Sequence, residues 1–236
     1  MSKPTVVVVR DTAALADHAA ARVERVTLDG GAADQGVRIA LAGGATPRAA
    51  YQHLAGRCPP WRRIAFFFGD ERCVPPDDEG SNYRMAHRAL LSMIPVEPGQ
   101  VHRIRGELSP EEAAREAEED LRRSVPGSPW PVLDLVILGI GVDGHTASLF
   151  PGAPELTEAE RAMVPVHRPE QPQPWRVTMT LPVLNAAARV LIVAADLAKA
   201  PVVARALAGD VEIPAALVRP EGELTWILTE DAASEL

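Results

Sequence analysis

The stretch that most limits what this chain can fold into runs from Leu133 to Gly152. Leu133 to Leu138 is an apolar run that reads as a buried strand. Gly139, Gly141 and Gly144 follow it at once. A strand that ends in glycines turns sharply or brings its backbone close to a ligand. Asp143 and His145 lie inside that turn. A histidine there changes charge near neutral pH, and a carboxylate two residues away orients it or holds it protonated. Strand, glycine turn and titratable pair point to a small-molecule site at the carboxyl end of a sheet strand.

The rest of the chain repeats the theme. Val6 to Val9 reads as a first strand, and the alanine-rich stretch from Asp11 to about Leu28 as a helix with Asp11 or Thr12 as its N-cap. Arg38 to Ala42 is a second strand ending at Gly43-Gly44; Thr46-Pro47 then opens a helix through Leu54. Ile64 to Phe68 is a third strand, and Gly69-Asp70-Glu71-Arg72 lies at its end. Ser81 to Leu91 and Ser109 to Arg123 are helices, the second announced by Ser-Pro-Glu-Glu. Ala162 to Val166, Val177 to Thr180, Val190 to Ala195 and Leu224 to Leu228 are later strands, and Lys199 to Leu207 is a helix. Strands alternating with helices predict an α/β fold: an open, mostly parallel, Rossmann-like sheet with helices on both faces. There is no internal repeat. The Pro-rich stretches from Val125 to Pro131 and from Pro169 to Pro174 read as loops or gates, so residues 1–236 are expected to form one domain.

Composition bounds the partners. With 236 residues, 47% of them hydrophobic, the chain can bury a substantial core. A formal charge of −8 without a basic cluster argues against nucleic acid or an anionic membrane as the main partner. It leaves room for a small anion in a locally positive pocket. Cys58 and Cys73 form no CxxC or zinc pattern and read as reduced thiols. The apolar run Val6 to Val9 is too short for a signal-peptide core or a membrane span. A cytoplasmic protein, monomer or small homo-oligomer, is expected.

Each candidate site has a plainer reading. Gly43-Gly44-Ala45-Thr46-Pro47 offers free backbone N–H groups and a hydroxyl at a helix start, which suits a phosphate. It is also an ordinary strand-to-helix turn, and no Gly-Lys-Ser/Thr makes it a Walker loop. Gly139-x-Gly141-x-x-Gly144 matches the dinucleotide GxGxxG pattern, but Pro151-Gly152 stops the following helix after about two turns, and Asp143 and His145 sit where a pyrophosphate needs small neutral residues. A lone histidine is usually structural; the position of His145 in a glycine turn reverses that expectation. No Cys/His cluster supports a metal at Asp143 and His145. Ser148 is no nucleophile elbow, because Gly-x-Ser-x-Gly is absent. Asp70-Glu71-Arg72 is either a solvated turn or a site in which Arg72 grips an anion with both ends of its fork. Arg176 and Lys199 are the remaining cations near strand ends.

Together these segments resemble one family, the 6-phosphogluconolactonases. Leu41-Ala-Gly-Gly-Ala-Thr-Pro47, Gly69-Asp-Glu-Arg-Cys-Val-Pro75 with Ser81-Asn82, Leu138 to Gly152, and Arg176-Val-Thr-Met-Thr180 come in the family order and span nearly the whole chain. The resemblance implies a sheet-based α/β fold shared with glucosamine-6-phosphate deaminases. It also implies hydrolysis of 6-phosphoglucono-δ-lactone to 6-phosphogluconate, in the oxidative pentose phosphate pathway, without a cofactor. The deaminases carry a glutamate just before the Pro-Gly, as part of a proton relay; here that position is Phe150, and their Asp-Glu-Tyr is Asp70-Glu71-Arg72. The substitution favours the lactonase over the deaminase. A non-catalytic sugar-phosphate sensor on the same fold is the third reading, and such sensors carry a DNA-binding module for which this chain has no basic helix. The family glycine before the lysine matched by Lys199 is missing from Ala195-Asp-Leu-Ala-Lys199.

The expected scheme assigns His145 as general base on a water, Asp143 as its orienting partner, and Arg72 or loop N–H groups as oxyanion partners. Gly43, Gly44, Thr46, Arg176 and Lys199 are expected to anchor the phosphate. Asp70, Gly141 and Gly144 complete the substrate-binding set.

Overall fold

The computed structural model describes residues 3–30, 36–57 and 59–236. Cys58 and the first two residues of the N-terminal stretch lie outside them. Six strands form one wholly parallel sheet: β1 (Thr5–Val9), β2 (Val37–Leu41), β3 (Ile64–Phe68), β5 (Leu135–Gly139), β8 (Arg189–Ala194) and β9 (Glu223–Thr229), in the order β1-β9-β8-β5-β2-β3. The interior strands read as unbroken apolar runs because both faces are covered. Leu135, Val136, Ile137 and Leu138 are all buried.

Helix α1 (Thr12–Asp29) starts where Asp11 caps it; the Asp11 carboxylate accepts from the Ala14 N–H at 2.8 Å. It packs against α2 (Ala45–Ala55). The chain moves outward from β1 through β2 to β3, then returns through β5, β8 and β9. Right-handed crossovers place helices on opposite faces when that direction reverses. So α1 and α2 belong to one face, and α6 (Ala200–Leu207), between β8 and β9, to the other. The reversal falls between the neighbours β2 and β5, whose exits diverge and leave a crevice at their carboxyl ends.

Two sequence expectations need correction. The segments at 162–166 and 177–180 do not join the parallel sheet. They are β6 (Met163–His167) and β7 (Trp175–Met179) of a separate antiparallel sheet ordered β4-β7-β6. Its third strand, β4, is Asp70–Arg72, a segment to which the sequence reading assigns no strand. Only Gly69 separates β3 from β4: its N–H donates to Leu41 O in the large sheet (2.9 Å), and its carbonyl accepts from Met179 N–H in the small one (2.8 Å). The backbone changes sheets across one residue, and no alternation of apolar and polar residues in Asp-Glu-Arg announces it. The apolar face of α4 (Pro110–Ser124) covers the small sheet. The second correction concerns the glycine loop after β5. No helix follows it: residues 141–152 form successive turns, with a bridge between Thr146 and Leu149. The dinucleotide pattern thus lacks the helix N-terminus on which a pyrophosphate would sit.

Candidate active site at the switch point

A half-open cavity of about 580 Å³, counting its mouth, lies in the crevice between the exits of β2 and β5. The loop after β2 forms one wall. Tyr51, on α2, pins its start: the Ala42 N–H donates to the phenol oxygen (2.7 Å), and the phenol donates back to Ala42 O (3.0 Å). Gly44, with φ of 103°, is the N-cap of α2 and offers no side chain to that helix end. In the first turn of α2 only Ala45 and Thr46 carry N–H groups free of an intrahelical partner, since the third residue is Pro47, and both residues line the cavity. Thr46, 5% exposed, lines the same wall.

Gly43 has a steric reason. A Cβ there would lie 2.0 Å from Oδ1 of Asn82, so the Asn82 amide occupies the space. Asn82 opens α3 (Asn82–Ala89), and its Nδ2 donates to Asp70 O (3.0 Å) and Asp70 Oδ1 (3.1 Å). The other Asp70 oxygen accepts from Ser148 Oγ at 2.7 Å. Beneath them Glu71 is fully engaged: its carboxylate accepts from the N–H groups of Arg72, Asn82 and Tyr83 and from Ser81 Oγ, at 2.7–3.0 Å. Burial pushes the Glu71 carboxyl above the usual carboxylate range, against the pull of those backbone N–H groups. Asn82, Ser148 and Glu71 were missed as site residues. Ser81-Asn82 was visible as part of a motif, but a polar residue at a helix start ordinarily reads as a cap.

The small sheet supplies the cations. In the β4–β7 register Arg72 lies opposite Arg176. Arg72 donates to Gly80 O at 2.6 Å, and Arg176 donates to Gln171 Oε1 at the long distance of 3.5 Å. The Nε of each is buried without a partner among the described residues. Burial first, and the Arg72 charge second, hold Arg176 below the usual guanidinium value. Two adjacent guanidinium groups with unused donors suit an anion. Lys199 lines the cavity too, 3.4 Å from Asp196. The pair Arg72 and Arg176 thus joins Lys199 and the α2 start around one space.

The loop after β5 supplies the titratable pair. His145 Nδ1 meets Asp143 Oδ1 at 2.5 Å, and the same oxygen accepts the His145 N–H at 3.1 Å. Facing a carboxylate, Nδ1 carries the proton, which leaves Nε2 as the lone-pair nitrogen. Burial raises the Asp143 pKa, but the hydrogen bond and charge of His145 outweigh it and lower the value overall. Gly141 makes the pair possible: a Cβ there would lie 2.1 Å from His145 Nδ1. His145 and Gly141 line the cavity. Asp143 does not, and reaches it only through the imidazole. Gly144 also stays outside: a Cβ there would lie 2.8 Å from Ile213 and 2.9 Å from Val202, and its carbonyl accepts from Ala215. Gly43, Gly44, Thr46, Asp70, Arg72, Arg176 and Lys199 are all brought together. Among the described residues no group of three His, Cys, Asp or Glu side chains is placed to hold a metal ion.

Phe150 fills the position expected to mark the difference from a deaminase. Its ring stacks on His145 with centroids 4.6 Å apart. No carboxylate occupies that place.

A doubly wound α/β protein with this crevice belongs to the class that takes small ligands at its switch point. The family model described as glucosamine-6-phosphate isomerases/6-phosphogluconolactonase matches residues 10–226, and the chain belongs to that family. Human 6-phosphogluconolactonase is 48% identical over 169 residues, which cover 70% of this chain and 66% of the human protein, just under two thirds of it. The 6-phosphogluconolactonase of Streptomyces coelicolor is 36% identical across 99% of this chain and 95% of its own length. The solved structure of Trypanosoma brucei 6-phosphogluconolactonase superposes with a TM-score of 0.90 at 30% identity, covering 100% of both chains. No helix among the described residues is long and apolar enough to cross a membrane.

Proposed function

We propose that this protein hydrolyses 6-phosphoglucono-δ-lactone to 6-phosphogluconate, as a single-domain cytoplasmic enzyme of the oxidative pentose phosphate pathway that needs no cofactor. One observation carries the reading: a carboxylate-held histidine and two arginines, each with a buried Nε that lacks a partner among the described residues, line the same cavity. The phosphate is held by Arg176, Lys199, Thr46 and the N–H groups that start α2. Anchoring it fixes the lactone carbonyl near His145, which turns binding energy into orientation. His145 Nε2 takes a proton from water as the oxygen attacks the carbonyl carbon, and Asp143 stabilises the imidazolium. Arg72 or loop N–H groups steady the tetrahedral oxyanion. Collapse breaks the bond to the ring oxygen, which leaves as a hydroxyl with the proton returned by His145. Asp70, oriented by Asn82 and Ser148, accepts from a sugar hydroxyl. The apolar ring of Phe150 counts against the deaminase, whose amine expulsion needs a further proton relay.

The test generates the lactone with glucose-6-phosphate dehydrogenase and reads 6-phosphogluconate through its dehydrogenase as NADPH. A protein-dependent rate above spontaneous hydrolysis supports the lactonase. No acceleration, with ammonia released from glucosamine 6-phosphate, overturns it in favour of the deaminase.

A further inference from the structure

The His145 ring is held twice. Asp143 fixes its Nδ1 edge at 2.5 Å, but a single ring hydrogen bond leaves the ring free to tilt about that contact. Phe150 removes that freedom: the two rings stack at 4.6 Å with 29° between their planes. The same phenyl ring lies against two guanidinium groups, with Arg168 Cζ at 4.9 Å and Arg176 Cζ at 5.5 Å from its centroid. Phe150 is itself packed in place: it is 5% exposed and sits with Ala153, Val166 and Leu156 in a small apolar cluster of its own. Arg168 is tied down by Glu155 at 3.4 Å. One rigid ring therefore touches both the proposed base and the proposed anion clamp. It does not line the cavity, so it acts through them.

We propose that Phe150 is a positioning residue: it sets the plane of the His145 imidazole and keeps Nε2 in register with Arg176. This rests on the lactonase reading above. Small misplacements of a reacting group cost rate, whereas ground-state binding of the phosphate survives them. Phe150→Leu and Phe150→Met keep an apolar side chain and remove the stacking plane. Measured on the purified full-length protein, either variant is expected to lose kcat by about tenfold or more while KM stays within about threefold of the parent. Folding is checked by circular dichroism, and the Met variant carries the test if the Leu variant does not fold. A kcat within about twofold of the parent overturns the proposal while leaving the lactonase reading intact. So does a rise in KM at unchanged kcat, which would assign Phe150 to the anion clamp alone. A parent protein no faster than the uncatalysed rate overturns both.

Discussion

At the residue scale, the site depends on two close approaches that only glycine permits. Gly141 keeps an ordinary backbone conformation, so alanine would fit its φ but not its surroundings. The added methyl would displace His145 Nδ1 and also lie 2.6 Å from Asp143 Oδ1. Gly141→Ala is thus expected to behave as a dyad mutation. Its kcat should drop by about 10²-fold or more with KM little changed, read in steady-state assays of lactone hydrolysis. A variant with parental kcat would show that the pair is not the proton-handling group. These residues were legible because glycines beside Asp143 and His145 form a dense local pattern. Asn82 and Ser148 were not, because their roles come from partners distant in sequence: Asn82 fills the space a Gly43 side chain would need, and Ser148 bonds Asp70 across 78 positions.

At the scale of elements, β4 is the least expected piece and the one that places both Asp70 and Arg72. The six parallel strands were legible because each is an apolar run. The three residues of β4 are all charged, and they pair only because Gly69 hands the chain to β7. What holds β4 to α3 is the Glu71 carboxylate and its four donors. Glu71→Gln puts an amide donor among donors and leaves at least one buried N–H or O–H unpaired. The expected loss is about 1–3 kcal/mol of unfolding free energy in urea titrations. Catalytic efficiency should fall with it, since Asn82 hangs from the same carboxylate. Unchanged stability would remove Glu71 from this role. A second element-scale prediction concerns the pair Arg103–Glu107, bonded at 2.7 and 2.8 Å. Arg103, hydrogen-bonded to it, pulls the Glu107 pKa down from 4.5 to about 2. A carboxylate depressed in the folded state stabilises above its unfolded value and loses that contribution as pH falls. The stability gap between the parent and Glu107→Gln is therefore expected to be widest above pH 4.5 and to close towards pH 2. Its size should stay within about 1 kcal/mol, because both side chains remain partly in solvent. A gap that does not change across that range would contradict the pairing.

At the scale of the whole molecule, the topology explains why chemistry collects at one place. The sheet reverses its winding between β2 and β5, and the loops leaving those strands carry the helix N-terminus and the Asp143–His145 pair. The small antiparallel sheet then brings Arg72 and Arg176 to the open side. An acidic chain of net charge −8 thereby keeps a cationic pocket. The parallel sheet was readable from alternating strands and helices; its strand order, and with it the switch point, was not, and neither was the second sheet, because pairing between β4 and β7 spans about a hundred residues with no local signal. In the proposed division of labour His145 handles the proton while the cations hold the phosphate. That division is tested most directly by one paired measurement on His145→Ala: the lactonase kcat from the coupled assay, and the affinity for 6-phosphogluconate from calorimetry. The expected result is a fall in kcat of about 10²–10⁴-fold with product affinity within about threefold of the parent. A variant that keeps its turnover, or that loses binding and rate together, would contradict it.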